Sequence, residues 1–103
     1  MTLNLRFEWD EEKNRVNWEE HQITFSKAIE VFYDPNRISE PDNRFDYGEE
    51  RLRTIGMAEN MLLLVVAWTD RGNDDFEIIR IISARRARPL ERRKYGNRKL
   101  QSR

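Results

Sequence analysis

Arginine and lysine supply seven of the sixteen side chains in RIISARRARPLERRKY, Arg80 to Tyr95, against a single acid, Glu91. Guanidinium groups grip phosphate oxygens in a two-pronged fork and stay charged at any working pH. Such a cluster can recognise a polyanion, or stabilise negative charge developing on phosphorus. Two more arginines lie in the alternating run RLRTIGM, where Arg51 and Arg53 share a face with Ile55 and Met57. By the same alternation Arg80 shares a face with Ile78 and Ile82, while Ile79, Ile81 and Ser83 take the other. An unpaired arginine is costly to bury, so Arg80 is expected at solvent or against a carboxylate. If helices cover one sheet face, Arg51, Arg53 and Arg80 line the open one. Arg85 and Arg86 then continue the row where the strand leaves the sheet. The expected product is a groove floored by β-structure and walled by guanidinium groups.

Candidates for moving a proton are few. His21, the only histidine, is of the side-chain type that changes charge near neutral pH. It fits a general base, and equally a favourable partner for a helix C-terminus. Glu91 likewise reads as a base or as a first-turn capping residue. Trp68, Tyr95 and Phe45 can stack on splayed bases or pack in a core. The chain has no cysteine, no ligand spacing around His21, no glycine-rich phosphate loop and no Gly-x-Ser-x-Gly. Neither a metal nor a cofactor is therefore expected.

Something must position these groups. The 103 residues suit one domain, placed at 1–96 with 97–103 as a basic tail. The zero net charge hides a partition: nine basic and eighteen acidic residues up to Ile79, then ten basic and one acidic. Surface ion pairing is a weak reason for such segregation, whereas a dipolar chain can offer one face to an anion. The longest apolar run, Met61 to Trp68, is too short to span a bilayer, and MTLNLRFEWDEE carries no secretory signature. A cytoplasmic protein without membrane attachment is the expectation.

Leu3 to Trp9 alternates like a strand, and Asp10 caps a helix that runs to about His21 with Val16 and Trp18 inward. Thr24 caps a second helix whose Phe25, Ala28, Ile29 and Phe32 form one buried face, ended by Asp34-Pro35-Asn36. Arg37 to Gly48 reads as a short edge strand or a loop. Strands follow over 50–58, 61–69 and 76–84, the first two joined by a hairpin at Glu59-Asn60. Pro89 opens a last helix and Gly96 closes it. The fold class is α+β: a small antiparallel, mostly meander sheet with two N-terminal helices and one C-terminal helix gathered on one face.

Four blocks, FEWDEEKNRVNWEEH, ITFSKAIEVFYDP, ERLRTIGMAENMLLLVVAWTDRG and IIRIISARRARPLERRKY, span about Phe7 to Tyr95 in that order. They resemble successive blocks of the BrnT family. The most specific pieces are Trp-Asp-Glu-x-Lys, and Arg-Ile-Ile-Ser-Ala-Arg followed by Glu-Arg-x-x-Tyr. The resemblance implies a RelE-like fold and a ribonuclease toxin of a type II toxin–antitoxin system. It implies metal-independent attack of a ribose 2′-OH on phosphate, with inhibition of translation and growth. The implied partners are an RNA substrate and a BrnA-like ribbon-helix-helix antitoxin, in a possible 2:2 complex that meets operator DNA only through the antitoxin. Carried over by position, the catalytic candidates are Arg80, Arg85, Lys13, His21 and Glu91. The RNA-binding candidates are Arg51, Arg53, Arg86 and Tyr95.

Three positions depart from the family pattern. Gln22 stands where glycine is usual, the turn Asp70 to Glu77 is long, and Arg88 occupies a position where a Ser or Thr cap is common. Two rival readings are a nucleic-acid-binding or co-repressor module that does no cutting, and a degenerate toxin kept as an antitoxin-binding scaffold.

Overall fold

The computed structural model describes residues 5–44 and 46–101, with the side chains of Lys99 and Gln101 set aside. Leu3 and Phe45 lie outside the described residues. Strand β1 (Leu5–Trp9) leads into helix α1 (Glu11–His21). Asp10 Oδ1 accepts the Glu12 and Lys13 amides at 2.8 and 3.4 Å, satisfying two donors of the first turn. The helix stops at Gln22, whose φ of 61° and ψ of 33° are left-handed. Glycine would adopt that conformation freely, whereas a side chain costs roughly 1–2 kcal/mol. Gln22 offsets the cost by sending both its backbone N–H and its side-chain amide to the Trp18 carbonyl, each at 2.9 Å.

The inner stripe of α1 is polar. Trp18 is half exposed, and the buried residue is Asn17, 4% exposed. Its amide donates to the Ala84 and Ile23 carbonyls at 2.9 and 2.8 Å and accepts the Ala84 N–H at 3.0 Å. A strand edge left open by β1 is thus closed by one side chain.

Thr24 caps the short helix α2 (Phe25–Ala28), which passes into a 3-10 turn to Tyr33. Strands β2 (Ile38–Pro41), β3 (Leu52–Ala58), β4 (Leu62–Asp70) and β5 (Glu77–Arg86) precede helix α3 (Pro89–Gln101). Between β3 and β4, Asn60 and Met61 turn the chain with φ of 63° and 59°. The sheet order is β1-β5-β4-β3-β2, antiparallel throughout except that β1 runs parallel to β5. α3 passes through Gly96 to Gln101 instead of stopping, so residues expected in the tail are helical.

The helices do not share one face. Leu64, Val66, Ile79, Ile81 and Ala84 pack with Phe25, Ala28, Val31 and Phe32 on one side. Ile55, Leu63 and Val65 pack with Tyr95 of α3 on the other. Gly56 lets the first layer close, because a Cβ there would lie 2.6 Å from Val31 Cγ1 and 3.0 Å from the Val31 carbonyl oxygen. α3 is locked down through Asp34. This buried carboxylate accepts the Tyr95 hydroxyl at 2.6 Å, the Met57 amide at 2.7 Å and the Asn36 amide at 2.8 Å. Burial first, and then Asp34, raises the Tyr95 pKa above the usual tyrosine range.

Candidate nucleic-acid interface

Arg80 and Arg85 are five residues apart on one strand, so strict alternation would send them to opposite faces. They share a face because the register slips between Ala67 and Trp68: Ala67 pairs with Ser83, and Trp68 pairs with Ile81. Ile82 is the extra residue, and a bulge re-aims everything beyond it. Thr69, Ala67 and Val65 stand opposite Arg80, Ser83 and Arg85, all on the α3 face. Ser83 therefore joins the arginine face, contrary to its expected place opposite it. β3 adds Arg53 to the same face, and Arg51 follows from the residue just before the strand. Arg85 and Arg86 are also part of β5, not of a segment leaving the sheet.

The face is not an open groove, since α3 covers part of it and carboxylates hold its arginines. Arg80 lies beside Glu8 of the parallel strand β1, with one guanidinium nitrogen 2.8 Å from its carboxylate. Arg85 makes a two-pronged bond to Glu91 at 2.7 and 2.8 Å. Arg53 sits 2.6 Å from Glu40 and 4.0 Å from Glu91, and Lys94 reaches Glu40 at 2.9 Å. Arg51 lies over the Tyr47 ring at 3.9 Å, with Glu49 at 3.8 Å. The Nε atoms of Arg51 and Arg53 are buried and have no hydrogen-bond partner.

These pairs set the proton affinities. Glu91 is held down to about 2, chiefly by Arg85, with the Arg88 amide at 2.8 Å and Arg53 assisting. Its bond to the Arg88 amide ties the start of α3 together, so a reaching glutamate replaces the Ser or Thr cap. Lys94 first and Arg53 second lower Glu40. Among Arg51, Arg53, Arg80 and Arg85, Arg80 keeps the most exposed side chain, 35% against 22% for Arg51, 21% for Arg53 and 17% for Arg85.

Lys13 and His21 approach from the side. They sit four residues before and after Asn17, on the stripe of α1 that meets β5. Together with Ser83 and Ile82 they line a shallow pocket of about 280 Å³ over the bulge. His21 Nε2 lies 3.7 Å from the Glu20 carboxylate. Ser83 is thus common to the arginine face and to the pocket of the two proton-carrying candidates.

Other expected site residues fall elsewhere. Tyr95 is 5% exposed, with its hydroxyl bound to Asp34, so it has no ring face to offer a base. Trp68 packs edge-on against Phe32 on the opposite side of the sheet, and its indole N–H donates to Thr54 at 2.8 Å. Arg86 is exposed at the end of β5. The long turn after β4 is closed by its own Asp70 and Asn73 side chains. The bulge, not this turn, aims Arg80 and Arg85 together. Sequence reasoning missed Glu8, Glu40, Asn17 and Ser83. For Glu8 the only local signal was its place on the same strand face as Arg6. Among the described residues no group of three or more His, Asp or Glu side chains is arranged to hold a metal ion, and no helix is long and apolar enough to cross a membrane.

Residues 9–91 match a family model described as the ribonuclease toxin BrnT of type II toxin–antitoxin systems. The fold is similar to the 1.1 Å crystal structure of the Brucella abortus ribonuclease toxin BrnT, with a TM-score of 0.58 and 24% identity. That match covers 84% of this chain and 99% of the other. No curated protein matches the chain.

Proposed function

The chain belongs to the BrnT family of ribonuclease toxins of type II toxin–antitoxin systems, and from that premise we propose that it cleaves RNA at the arginine face around the β5 bulge. The observation that carries this reading is the bulge itself. It puts Arg80, Ser83 and Arg85 on one face, next to the pocket that Lys13 and His21 line.

The ribose 2′-OH attacks the adjacent phosphorus. The new 2′-O–P bond forms as the P–O5′ bond breaks, leaving a 2′,3′-cyclic phosphate and a 5′-hydroxyl. No metal takes part in this route. Arg80 stabilises the charge that builds on the phosphoryl oxygens: it bonds Glu8 through one nitrogen and keeps its other N–H groups for substrate. In this reading Lys13 and His21 take the 2′ proton and return one to the leaving 5′ oxygen, which the pocket they share with Ser83 supports. Glu91 is too weak a base for that task at neutral pH. It instead holds Arg85 and Arg53 in position beneath α3. An antitoxin of BrnA type silences the toxin by covering this face, and cleavage of messenger RNA in the cytoplasm stops growth.

Inducible expression of the wild type beside Arg80→Ala and Arg85→Ala tests the reading. Arg80→Ala should slow RNA cleavage about 10²–10³-fold, the scale for losing one charge-stabilising donor, and relieve growth arrest. If neither variant relieves arrest or RNA loss, the site lies elsewhere. The carboxylate pairing of Arg53 and Arg85 favours a second reading, an antitoxin-binding scaffold without activity, which predicts intact RNA after long incubation with pure protein.

A further inference from the structure

Strand register sorts the residues of the α3 face into rows that cross the sheet. Glu40, Arg53, Ala67 and Ser83 are paired in turn from β2 to β5, and each is half-buried. In the neighbouring row Ile55 and Val65 are buried and packed with Tyr95 of α3. The margin of the helix therefore runs beside the first row and leaves it as a track, three strand spacings or roughly 14 Å long. Glu91 and Tyr95 point down to the sheet, and Lys94 reaches Glu40 at 2.9 Å. Lys94 and Arg98, four residues apart, thus share the flank that overlooks the track, while Arg88 and Arg92 take the flank toward the turn between β3 and β4. At the β2 end of the track lies a shallow pocket of about 410 Å³, lined by Arg37, Ile38, Ser39, Lys94, Asn97 and Arg98, with no carboxylate among the described lining residues. One guanidinium nitrogen of Arg37 donates to the Asp34 carbonyl at 3.1 Å, which anchors the side chain. The Asp42 N–H bonds the Arg51 carbonyl at 2.8 Å. Alternate residues Asp42, Glu40 and Ile38 therefore pair inward, and the Ser39 N–H faces the open edge.

We infer that this pocket is a phosphate subsite: RNA lying on the arginine face follows the row from Ser83 to Glu40 and sets a backbone phosphate between Arg37 and Arg98, a few nucleotides from the cleaved bond. The inference rests on the ribonuclease reading above. Two observations carry it. The track begins at Ser83, which the arginine face shares with the pocket of Lys13 and His21. It ends where three cations and an outward N–H converge, the arrangement that grips phosphate oxygens. Glu40, the acid in the row, is matched by Arg53 and Lys94 together, so it does not turn a polyanion away. A polyanion also suits the pocket better than a protein segment. Stable protein docking needs an apolar anchor, and Ile38, the apolar residue of the described lining, is itself half-buried.

The test is binding of a 2′-O-methyl RNA oligonucleotide, which cannot be cleaved by 2′-OH attack, measured by fluorescence anisotropy from 0.1 to 1 M salt. The R37Q/R98Q double variant is compared with wild type and with R88Q/R92Q, an equal charge loss on the other flank of α3. Losing one phosphate contact lowers the salt slope of a single-strand complex by about 0.7, which is roughly 5-fold in affinity at 0.1 M salt. R37Q/R98Q should show that loss in both quantities, while R88Q/R92Q matches wild type. Circular dichroism verifies that the proteins are folded. R98Q alone, on the exposed helix surface, serves if Arg37 proves necessary for the turn before β2, and it too must bind more weakly than wild type. Wild-type affinity and slope in these variants, or an equal loss in R88Q/R92Q, overturns the subsite and leaves the ribonuclease reading standing. If R37Q/R98Q binds RNA normally but loses a protein partner, the pocket belongs to that partner and the subsite is likewise overturned. Wild-type protein that shows no salt-dependent binding sinks both.

Discussion

Replacing Glu91 by glutamine removes one charge and almost no volume, and it isolates the pair on which the placement of α3 over the arginine face depends. Glutamine can still accept the Arg88 amide, so the helix start survives. What is lost is the carboxylate facing Arg85, whose side chain is only 17% exposed, with Glu91 itself at 14%. The folded-state depression of Glu91 from 4.5 to about 2 corresponds to about 3 kcal/mol at 1.36 kcal/mol per pKa unit. Its sign follows from linkage. A carboxyl with a lowered folded pKa contributes its full stability above the unfolded value of 4.5, and loses it as pH falls toward 2. Urea unfolding followed by circular dichroism should show Glu91→Gln weaker than wild type by about 2–3 kcal/mol at pH 7. A fall of more than about 10 °C in Tm should accompany it. By pH 3 the gap should shrink to about half. A gap that is absent at pH 7, or unchanged down to pH 3, would refute the claim that charge holds Arg85 under α3.

Two further substitutions probe the scaffold. Asn17→Ala should cost about 2–4 kcal/mol in urea unfolding, because the Ala84 N–H and two carbonyls are left buried without partners. A loss under 1 kcal/mol would mean that this amide does not close the β5 edge. Gly56→Ala should cost about 1–3 kcal/mol, since the new methyl meets Val31. A double-mutant cycle with Val31→Ala should then show the pair less damaging than its two singles added together; strict additivity would rule out the clash.

Much of this fold is written locally. Asp10 and Thr24 mark helix starts through bonds to amides two or three residues on, Pro89 marks one through its fixed φ, and the alternation of β1, β3 and β5 is plain in single strands. What could not be read depends on distant partners. The parallel pairing of β1 with β5 joins segments some seventy residues apart, and it brings Glu8 to Arg80. The bulge at Ile82 leaves no mark among Ile, Ile and Ser, yet it reverses which residues look outward after it. Asn17 was invisible as a core residue because a periodic search seeks apolar side chains, while this site needed a donor and an acceptor at once. Gly96 misled because a glycine stop requires the left-handed conformation, and Gly96 does not adopt it. Arg51, Arg53 and Arg80 do share a sheet face, but α3 covers part of it, Arg85 joins them from within β5 only through the bulge, and their carboxylate partners on β1, β2 and α3 were not foreseen. A charge count along the chain cannot show which opposite charges meet.

The most direct test of the account is the chemistry of the cut ends. Purified protein incubated with an RNA oligonucleotide in the presence of EDTA should leave 2′,3′-cyclic phosphate and 5′-hydroxyl termini. The same oligonucleotide carrying a 2′-deoxy sugar at the cleaved position should stay whole. Products ending in 3′-hydroxyl and 5′-phosphate, or equal cutting of the deoxy-substituted strand, would contradict attack by the ribose hydroxyl at the arginine face.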